Sequence, residues 1–222
     1  MTLYLLPNLL SADSNISLSI PAGVEELLYS LDGFFVETPK EARKFLKNFD
    51  FEKLRDKPME IVDKGSDDLQ SHIKLIKKGS KWGMLTDCGL PCIADPGSKL
   101  VLLAKAKNID VVAIPGPSSI FMSIMLSGLY AQKFTFFGYI PRDLNTSIRK
   151  HEGLQVYIQT PYKTEYTVQN LMEVLDPKDM LCVALDIGSS TQEVITDSVK
   201  NWKNMKWPEL QKRSAVFLIQ CR

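Results

Sequence analysis

Apolar positions along this chain recur with two periods, and the two alternate. Leu3–Leu6 is a short apolar run that meets Pro7, the pattern of a strand. Val24, Leu27, Leu28 and Leu31 then fall at i, i+3, i+4 and i+7, one face of a helix, and Gly33 punctuates the chain after it. Phe34–Val36 reads as a buried strand. Pro39 suits a first helical position, and residues 40–49 continue that helix. The spacing predicts further strands at Met59–Val62, Trp82–Thr86, Asp110–Ile114, Phe134–Phe137, Leu154–Gln159, Met180–Leu185 and Ala215–Gln220. Between them it predicts four helices. One starts at Ser66, Asp67 and Asp68, shares Leu69, Ile73 and Ile76 on a face, and ends at Gly79. The others are Leu100–Lys107, Ser119–Leu126 capped by Ser118, and Thr164–Leu175 with Tyr166, Leu171, Val174 and Leu175 inward. Alternation of this kind argues for the α/β class, helices packed on sheets. The division is expected at Pro115–Ser118, giving an N-terminal α/β domain, 1–116, and a C-terminal α/β domain, 117–222.

A length of 222 residues allows two such domains. The 27 Lys+Arg against 26 Asp+Glu leave a net charge of +1, which excludes a globally polybasic chain but not a local basic face. Residues 111–132 carry no charge, a length that would cross a bilayer. Pro115, Gly116 and Pro117 break that stretch and four serines dilute it, so a strand, a turn and a buried helix explain it better. The N-terminus has no basic region ahead of its apolar run and reads as a strand rather than a signal peptide. These features point to a cytoplasmic chain with reduced thiols and no membrane partner. No GxGxxG follows a strand, and no GxxxxGK[ST] exists. His72 and His151 lie far apart and outside any triad context. Cys88 and Cys92, with only Cys182 and Cys221 elsewhere, make a weak zinc set, so no metal is expected.

Two loops stand out, each following a predicted strand. Thr86–Gly97 packs two Gly, two Pro and two Asp into twelve residues, and Pro115-Gly116-Pro117-Ser118-Ser119 follows the next strand. Glycine lets a ligand approach the backbone and proline holds a loop in one shape. The strand ends of an open α/β sheet are where ligands bind. Loops of this kind also merely turn corners, and composition alone leaves the two readings level.

The residues themselves separate them. Asp87-x-Gly89-x-Pro91-x-Ile93-x-Asp95-Pro96-Gly97, then Pro115-Gly116-Pro117-Ser118-Ser119, Ser127-Gly128-Leu129, and Phe134-x-Phe136-x-Gly138-Tyr139-x-Pro141-Arg142 together resemble the tetrapyrrole-methylase superfamily of S-adenosylmethionine-dependent methyltransferases. The nearest resemblance is to the branch that methylates a ribose 2′-oxygen in small-subunit ribosomal RNA, which reads SDAGTPxISDPGxxLV, PGPSA, SGL and FxGFLPRK. The resemblance implies two α/β domains with the cofactor in a cleft between them, and a homodimer. It assigns Pro7, Asp87, Gly89, Leu90, Ile93, Ser118 and Ser119 to S-adenosylmethionine, and, by position alone, Ile158, Leu185 and Ala215. Glu37 matches the family acid and is the candidate catalytic base; its other reading is a helix-start carboxylate just before Thr38-Pro39, stabilised by the dipole. Tyr139, Arg142 and Lys163 are the candidate acceptor-binding residues, for stacking and phosphate contact.

Departures lie mostly on the acceptor side. A TPIGNL-type loop is here Leu6-Pro7-Asn8-Leu9-Leu10, an EDTR block is Glu37-Thr38-Pro39-Lys40, a YESPHR block is Ile158–Lys163, and a RELTK block is Ala184–Gly188. The methyl donor is therefore better marked than the acceptor. Basic runs at 40–57, at Lys74–Lys81 and at Lys200–Arg213 offer a rim for ribosomal RNA, or are solvated helix faces. A tetrapyrrole-like small molecule or a protein side chain as acceptor, or a cofactor-binding protein without transfer, stay open as alternatives.

Overall fold

The structure, a computed structural model, describes residues 1–63, 65, 69–141, 143, 144, 148 and 152–221. The chain forms two compact units, Met1–Ser118 and Ser119–Arg222, each built on one five-stranded sheet with helices packed against it. The α/β class read from the sequence is the class observed.

In the first unit the strands are β1 (Thr2–Leu5), β2 (Gly33–Val36), β3 (Met59–Ile61), β4 (Lys81–Leu85) and β5 (Asp110–Ala113), all parallel, in the order β3-β2-β4-β1-β5. A parallel sheet must return each strand through a crossover, so helices cover both faces. The side chains show this directly. Successive residues of a strand point to opposite faces: Phe34 and Val36 enter one core with Leu6, Leu28, Leu46 and Leu85, whereas Phe35 enters the other with Leu3, Trp82, Met84 and Leu100. Burying each such Leu or Phe is worth about 1.5–3 kcal/mol. Helices α1 (Ile16–Ser19), α2 (Val24–Ser30) and α3 (Pro39–Leu46) contribute residues to the first core; α4 (Gln70–Leu75) and α5 (Ser98–Ala106) pack in the second. The chain leaving β1 thus enters a helix on one face, and the chain leaving the adjacent β4 enters a helix on the other. This is the strand-order arrangement that opens a crevice at the carboxyl ends of two neighbouring strands.

The second unit is mixed. Its strands are β6 (Phe134–Tyr139), β7 (Leu154–Gln159), β8 (Met180–Leu185), β9 (Glu193–Ser198) and β10 (Ala215–Gln220), in the order β6-β7-β10-β8-β9, with only the β6–β7 pair parallel. Ala215, Phe217 and Ile219 of β10 alternate into a core with Tyr157, Leu171, Leu181, Val183 and Trp202. The Trp202 indole N–H donates to the Leu181 carbonyl at 3.0 Å. Helix α6 (Ser119–Ser127) packs on β10, β9 and β8 through Ile120, Ser123 and Ser127, while α7 (Thr164–Val174) and the short α8 (Val199–Trp202) supply core residues.

Two expectations change. Tyr166 does not face inward: it is 65% exposed, whereas Leu171, Val174 and Leu175 are buried as expected, together with Thr164, Thr167, Val168 and Met172. Strand β9 is absent from the hydrophobic pattern because it lies at a sheet edge and all six of its residues are only half-buried. Residues 66–68, where a helix start was expected, lie outside the described residues, and α4 begins at Gln70. Among the described residues no helix is long and apolar enough to cross a membrane.

Gly83 sits on the β4 face covered by Leu6 and Leu31. A Cβ there would stand 2.5 Å from Leu6 Cδ1 and 2.8 Å from Leu31 Cδ1. Both are branched core side chains, so Gly83→Ala is expected to lower stability by about 1–3 kcal/mol. An unchanged urea midpoint would show that this face accommodates the methyl group.

Candidate active site

Because its strands are parallel, the first sheet delivers the loops after β1, β2, β4 and β5 to one edge. Those loops are tied to one another. The Asn8 side-chain amide donates to the carbonyls of Thr86 at 2.8 Å and Asp87 at 3.1 Å, its own carbonyl accepts the Leu9 amide at 2.7 Å, and its backbone N–H donates to Gly89 at 2.8 Å. Asn8 is buried. The β1 and β4 loops are therefore fastened to one another. Asp87 joins them to β2: its carboxylate accepts from the Thr38 amide at 3.0 Å and the Thr38 hydroxyl at 2.8 Å, and its own amide donates to Glu37 Oε2 at 3.3 Å. Gly116 adds β5. A Cβ on it would lie 2.1 Å from Pro7 Cβ and 3.4 Å from Leu90 Cδ2, so only glycine lets these backbones approach.

The structure thus brings Pro7, Glu37, Asp87, Gly89, Leu90 and Gly116 together at the strand ends. Gly89, at φ +65°, would place a Cβ 3.2 Å from Leu10 and 3.6 Å from the Pro117 carbonyl. Ile93 is exposed and Ser118 half-buried. Asn8 and Thr38, which hold the constellation, were not singled out from the sequence; an Asn beside Pro directly after a strand was the available signal.

Past Gly89 the β4 loop is conformationally constrained. Cys92 and Ala94 adopt φ of +71° and +63°, and Gly97 one of +121°, with the Cys92 amide donating to the Pro96 carbonyl at 3.1 Å. Non-glycine residues in this region cost of order 1–3 kcal/mol each and persist only where the surroundings over-determine them. Cys88 is exposed at the surface, yet the loop desolvates its sulfur. That effect, with smaller ones from the Asp95, Asp87 and Glu37 carboxylates, pushes the thiol up to about 11. The Cys92 thiol is raised in the same direction by burial and by Asp95. Both sulfurs are therefore neutral at physiological pH. Among the described residues no cluster of three or more His, Cys, Asp or Glu side chains stands ready to hold a metal.

In the second unit, register places four more of the expected residues at one end of the sheet. Ala215 pairs with Leu185 and Gln159, Val216 pairs with Ile158, and Tyr139 pairs with Ile158. Leu185 and Ala215 are buried, Ile158 is half-buried and Tyr139 is 55% exposed. Lys163, in the 3-10 turn directly after β7, is exposed at that same end. Ser119 opens α6, half-buried. Arg142 lies outside the described residues.

That end is clamped by Arg213, which donates to Asp186 Oδ2 at 2.6 Å, to Glu193 Oε2 at 2.7 Å and to the Thr191 carbonyl. Asp186 Oδ1 also accepts the Ser214 amide at 3.0 Å, from a backbone φ of +47°. The residues after Leu185 and before Ala215 are thereby held together. The two carboxylate partners are 27 and 20 residues from Arg213 in the chain, and no local pattern announces the clamp.

Comparison with known proteins bears on both loop sets. The profile of the tetrapyrrole (corrin/porphyrin) methylases matches residues 24–202. The chain belongs to that methylase family. Among its relatives is the ribosomal RNA small subunit methyltransferase I of Thermotoga maritima, 29% identical over 132 residues, which are 57% of this chain and 59% of that protein. The protein of the same name from Streptococcus pyogenes serotype M6 is 26% identical over 189 residues, 82% of this chain and 63% of that protein. The chain thus matches about three fifths of the length of these curated relatives. Its fold is that of solved methylase-fold structures. Diphthine synthase superposes with a TM-score of 0.69 at 17% identity, covering 99% of this chain and 89% of that one. The uroporphyrin-III-C-methyltransferase of Thermus thermophilus superposes at 0.57 and 15%, covering 99% and 94%.

Two measurements test this methylase-family site without any ligand. Replacing Asn8 by Ala strands the buried Thr86 carbonyl and the Leu9 amide, and is expected to lower stability by about 1–3 kcal/mol. Equal urea midpoints for the two proteins would show that the loops are held by other contacts. For Cys88, the thiolate is the reacting species, so at pH 8 only about one thiol in a thousand is competent. Its iodoacetamide alkylation, followed peptide by peptide, is expected to keep rising through pH 10. A plateau below pH 9 would contradict the environment described.

Proposed function

We propose that this chain transfers a methyl group from S-adenosylmethionine to a ribose 2′-oxygen of small-subunit ribosomal RNA. The observation that carries the reading is the single rigid edge formed by the loops of β1, β2, β4 and β5. Family membership and relatives named for ribosomal RNA support it. The residues fit such a cofactor. Gly116 and Gly89 let the loops close on Pro7 and Leu10, and the loops so fastened are suited to offering main-chain groups to a polar ligand. Pro7, Asp87, Gly89, Leu90, Ile93 and Ser118 of the first unit would hold it, and Ser119, Ile158, Leu185 and Ala215 are assigned to it by resemblance.

When bound, S-adenosylmethionine supplies a methyl group already activated by its sulfonium. What the chain must add is position. Orientation of this kind accounts for about 7–11 kcal/mol of barrier in the best intramolecular cases. Hydrogen bonds from Asn8, Thr38 and the Asp87 amide hold the edge in one arrangement before ligand arrives. Glu37, half-buried at the end of β2, is the residue assigned to take the proton of the acceptor hydroxyl. Tyr139 is exposed enough to stack on a base, and Lys163 and Arg142 are assigned to acceptor phosphates. In this reading residues 1–116 and 117–222 are the two functional domains. The chain works in the cytoplasm as a homodimer, and exposed Phe121, Met125 and Leu126 on α6 favour a second copy.

The deciding measurement is calorimetry with S-adenosylmethionine and S-adenosylhomocysteine on wild type and on Ser118→Trp, which fills the β5 loop. Micromolar binding that is lost in the variant is expected, followed by methyl transfer to ribosomal RNA that Glu37→Gln reduces by at least a hundredfold. Binding without transfer to RNA would move the acceptor to a small molecule or protein, or leave a binding protein. No binding to wild type would overturn the enzyme reading.

A further inference from the structure

The basic run at 40–57 contains seven cations, and the structure sorts them. Lys57 is turned inward: its ammonium donates to the carbonyls of Tyr29 at 3.0 Å and of Leu31, and burial lowers its pKa. Lys53 pairs with Asp50 at 3.1 Å, Lys44 with Glu41 at 2.8 Å, and Arg55 with Glu52 at 2.9 Å. Lys40, Arg43 and Lys47 remain. All three are exposed, and among the described residues none makes an ion pair or side-chain hydrogen bond.

These three and Lys44 occupy i, i+3, i+4 and i+7, one outward stripe of α3, opposite the buried Ala42, Phe45 and Leu46. The helix dipole favours Arg43 and Lys47, at its C-terminal end, but does not favour the stripe as a whole. Like charges at these spacings repel, and Lys40 lies in the first turn, where the helix dipole disfavours a cation. It also lines an open groove of about 750 Å³, completed by Phe51, Arg55 and Asp56. The groove therefore has five cations, one acid and one half-buried aromatic ring. The helix starts two residues after Glu37, so the groove begins beside the strand end assigned to the chemistry. From Lys40 to Lys47 the stripe runs about 10 Å at the helical rise of about 1.5 Å per residue.

We infer that this α3 groove is a docking surface for the phosphodiester backbone of an RNA strand, with Lys40, Arg43 and Lys47 contacting phosphates and Phe51 available to a base. A row of point charges without paired acids suits a polyanion of regular spacing. Release of counterions then makes the contact favourable and steeply salt-dependent. An aromatic face among the cations is what a single strand uses for stacking. The inference rests on the RNA reading above, and it goes further by naming the surface that grips the acceptor.

The test compares two triple variants of equal charge change: Lys40→Gln/Arg43→Gln/Lys47→Gln on α3, and Lys105→Gln/Lys107→Gln/Lys178→Gln, three exposed lysines outside the basic runs. Both are surface changes, and the first relieves repulsion, so folding is expected to survive. Binding to a small-subunit ribosomal RNA transcript is measured from 50 to 300 mM KCl, with S-adenosylmethionine calorimetry alongside. The α3 triple is expected to weaken RNA binding at least tenfold at 100 mM KCl and to flatten the log–log salt slope by about two, three contacts at about 0.7 each. The control triple is expected to change affinity less than twofold, and cofactor affinity is expected to be equal in all three proteins. Equal losses in both triples would reduce the effect to net charge and overturn the groove. So would wild-type methylation of RNA with an unchanged KM in the α3 triple, while leaving the RNA reading intact. If wild type neither binds nor methylates RNA, the acceptor reading fails and takes the groove with it.

Discussion

The site depends on the fastening of four loops to one another through Asp87, Asn8 and Gly116. A parallel sheet brings its strand ends to a common edge but does not fix how the loops beyond them stand. Here the Asp87 carboxylate takes both donors of Thr38, and the Asn8 amide takes two carbonyls of the β4 loop. The close approach of Gly116 to Pro7 completes the set by contact rather than by hydrogen bonding. Each tie crosses from one strand end to another, so loosening one loop disturbs its neighbours. The left-handed backbone at Cys92 and Ala94 is tolerable in such a setting, because the rest of the loop leaves it no alternative.

This arrangement also explains why the sequence was more legible here than elsewhere. Loops fastened this closely have to keep glycine where φ is positive or chains nearly touch, and proline where the path is stiff. Those needs appear in the residues themselves, at Gly89, Gly97 and Gly116. The α/β alternation was legible for a related reason: strands buried on both faces, such as Phe34–Val36 and Trp82–Leu85, are continuous apolar runs. Legibility fails where burial is partial or partners are distant. Strand β9 carries Glu193, Thr196 and Asp197 at an edge where half-burial tolerates them. Tyr166 is expected inward with Leu171, Val174 and Leu175, yet α7 leaves it exposed and buries two threonines. Packing decides such a position through neighbours that the local pattern does not contain.

The charged residues show the same division. Counting cations in the run at 40–57 says little, since Lys44, Lys53, Arg55 and Lys57 are each occupied, three by carboxylates and one by backbone carbonyls. What distinguishes Lys40, Arg43 and Lys47 is their lack of any such partner among the described residues, together with their shared face. Exposed pairs contribute little to stability, so the paired cations are nearly neutral for the fold. The unpaired ones repel one another along the helix that carries them, and Lys40 also stands in its first turn, where the dipole disfavours a cation. A row of cations without paired acids, on one helix face, gains little for the fold and is better explained by what it meets.

The divergence from the wider family runs along the boundary between backbone and side-chain recognition. Loops at 87–97 and 115–119 retain the family order because their geometry admits few substitutes. The block at Ala184–Gly188 does not, and its structure shows another use for the position: Asp186, with φ +47°, accepts both Arg213 and the Ser214 amide. That carboxylate closes the end of the sheet where Leu185 meets Ala215. Arg213 is largely enclosed, so its charge is balanced by two carboxylates rather than by water. A side chain committed to holding β8 against β10 is no longer free to contact an acceptor. Under the RNA reading proposed above, contacts to the acceptor then fall to cations outside this clamp, and those of α3 are the ones that share a helix face and line one groove.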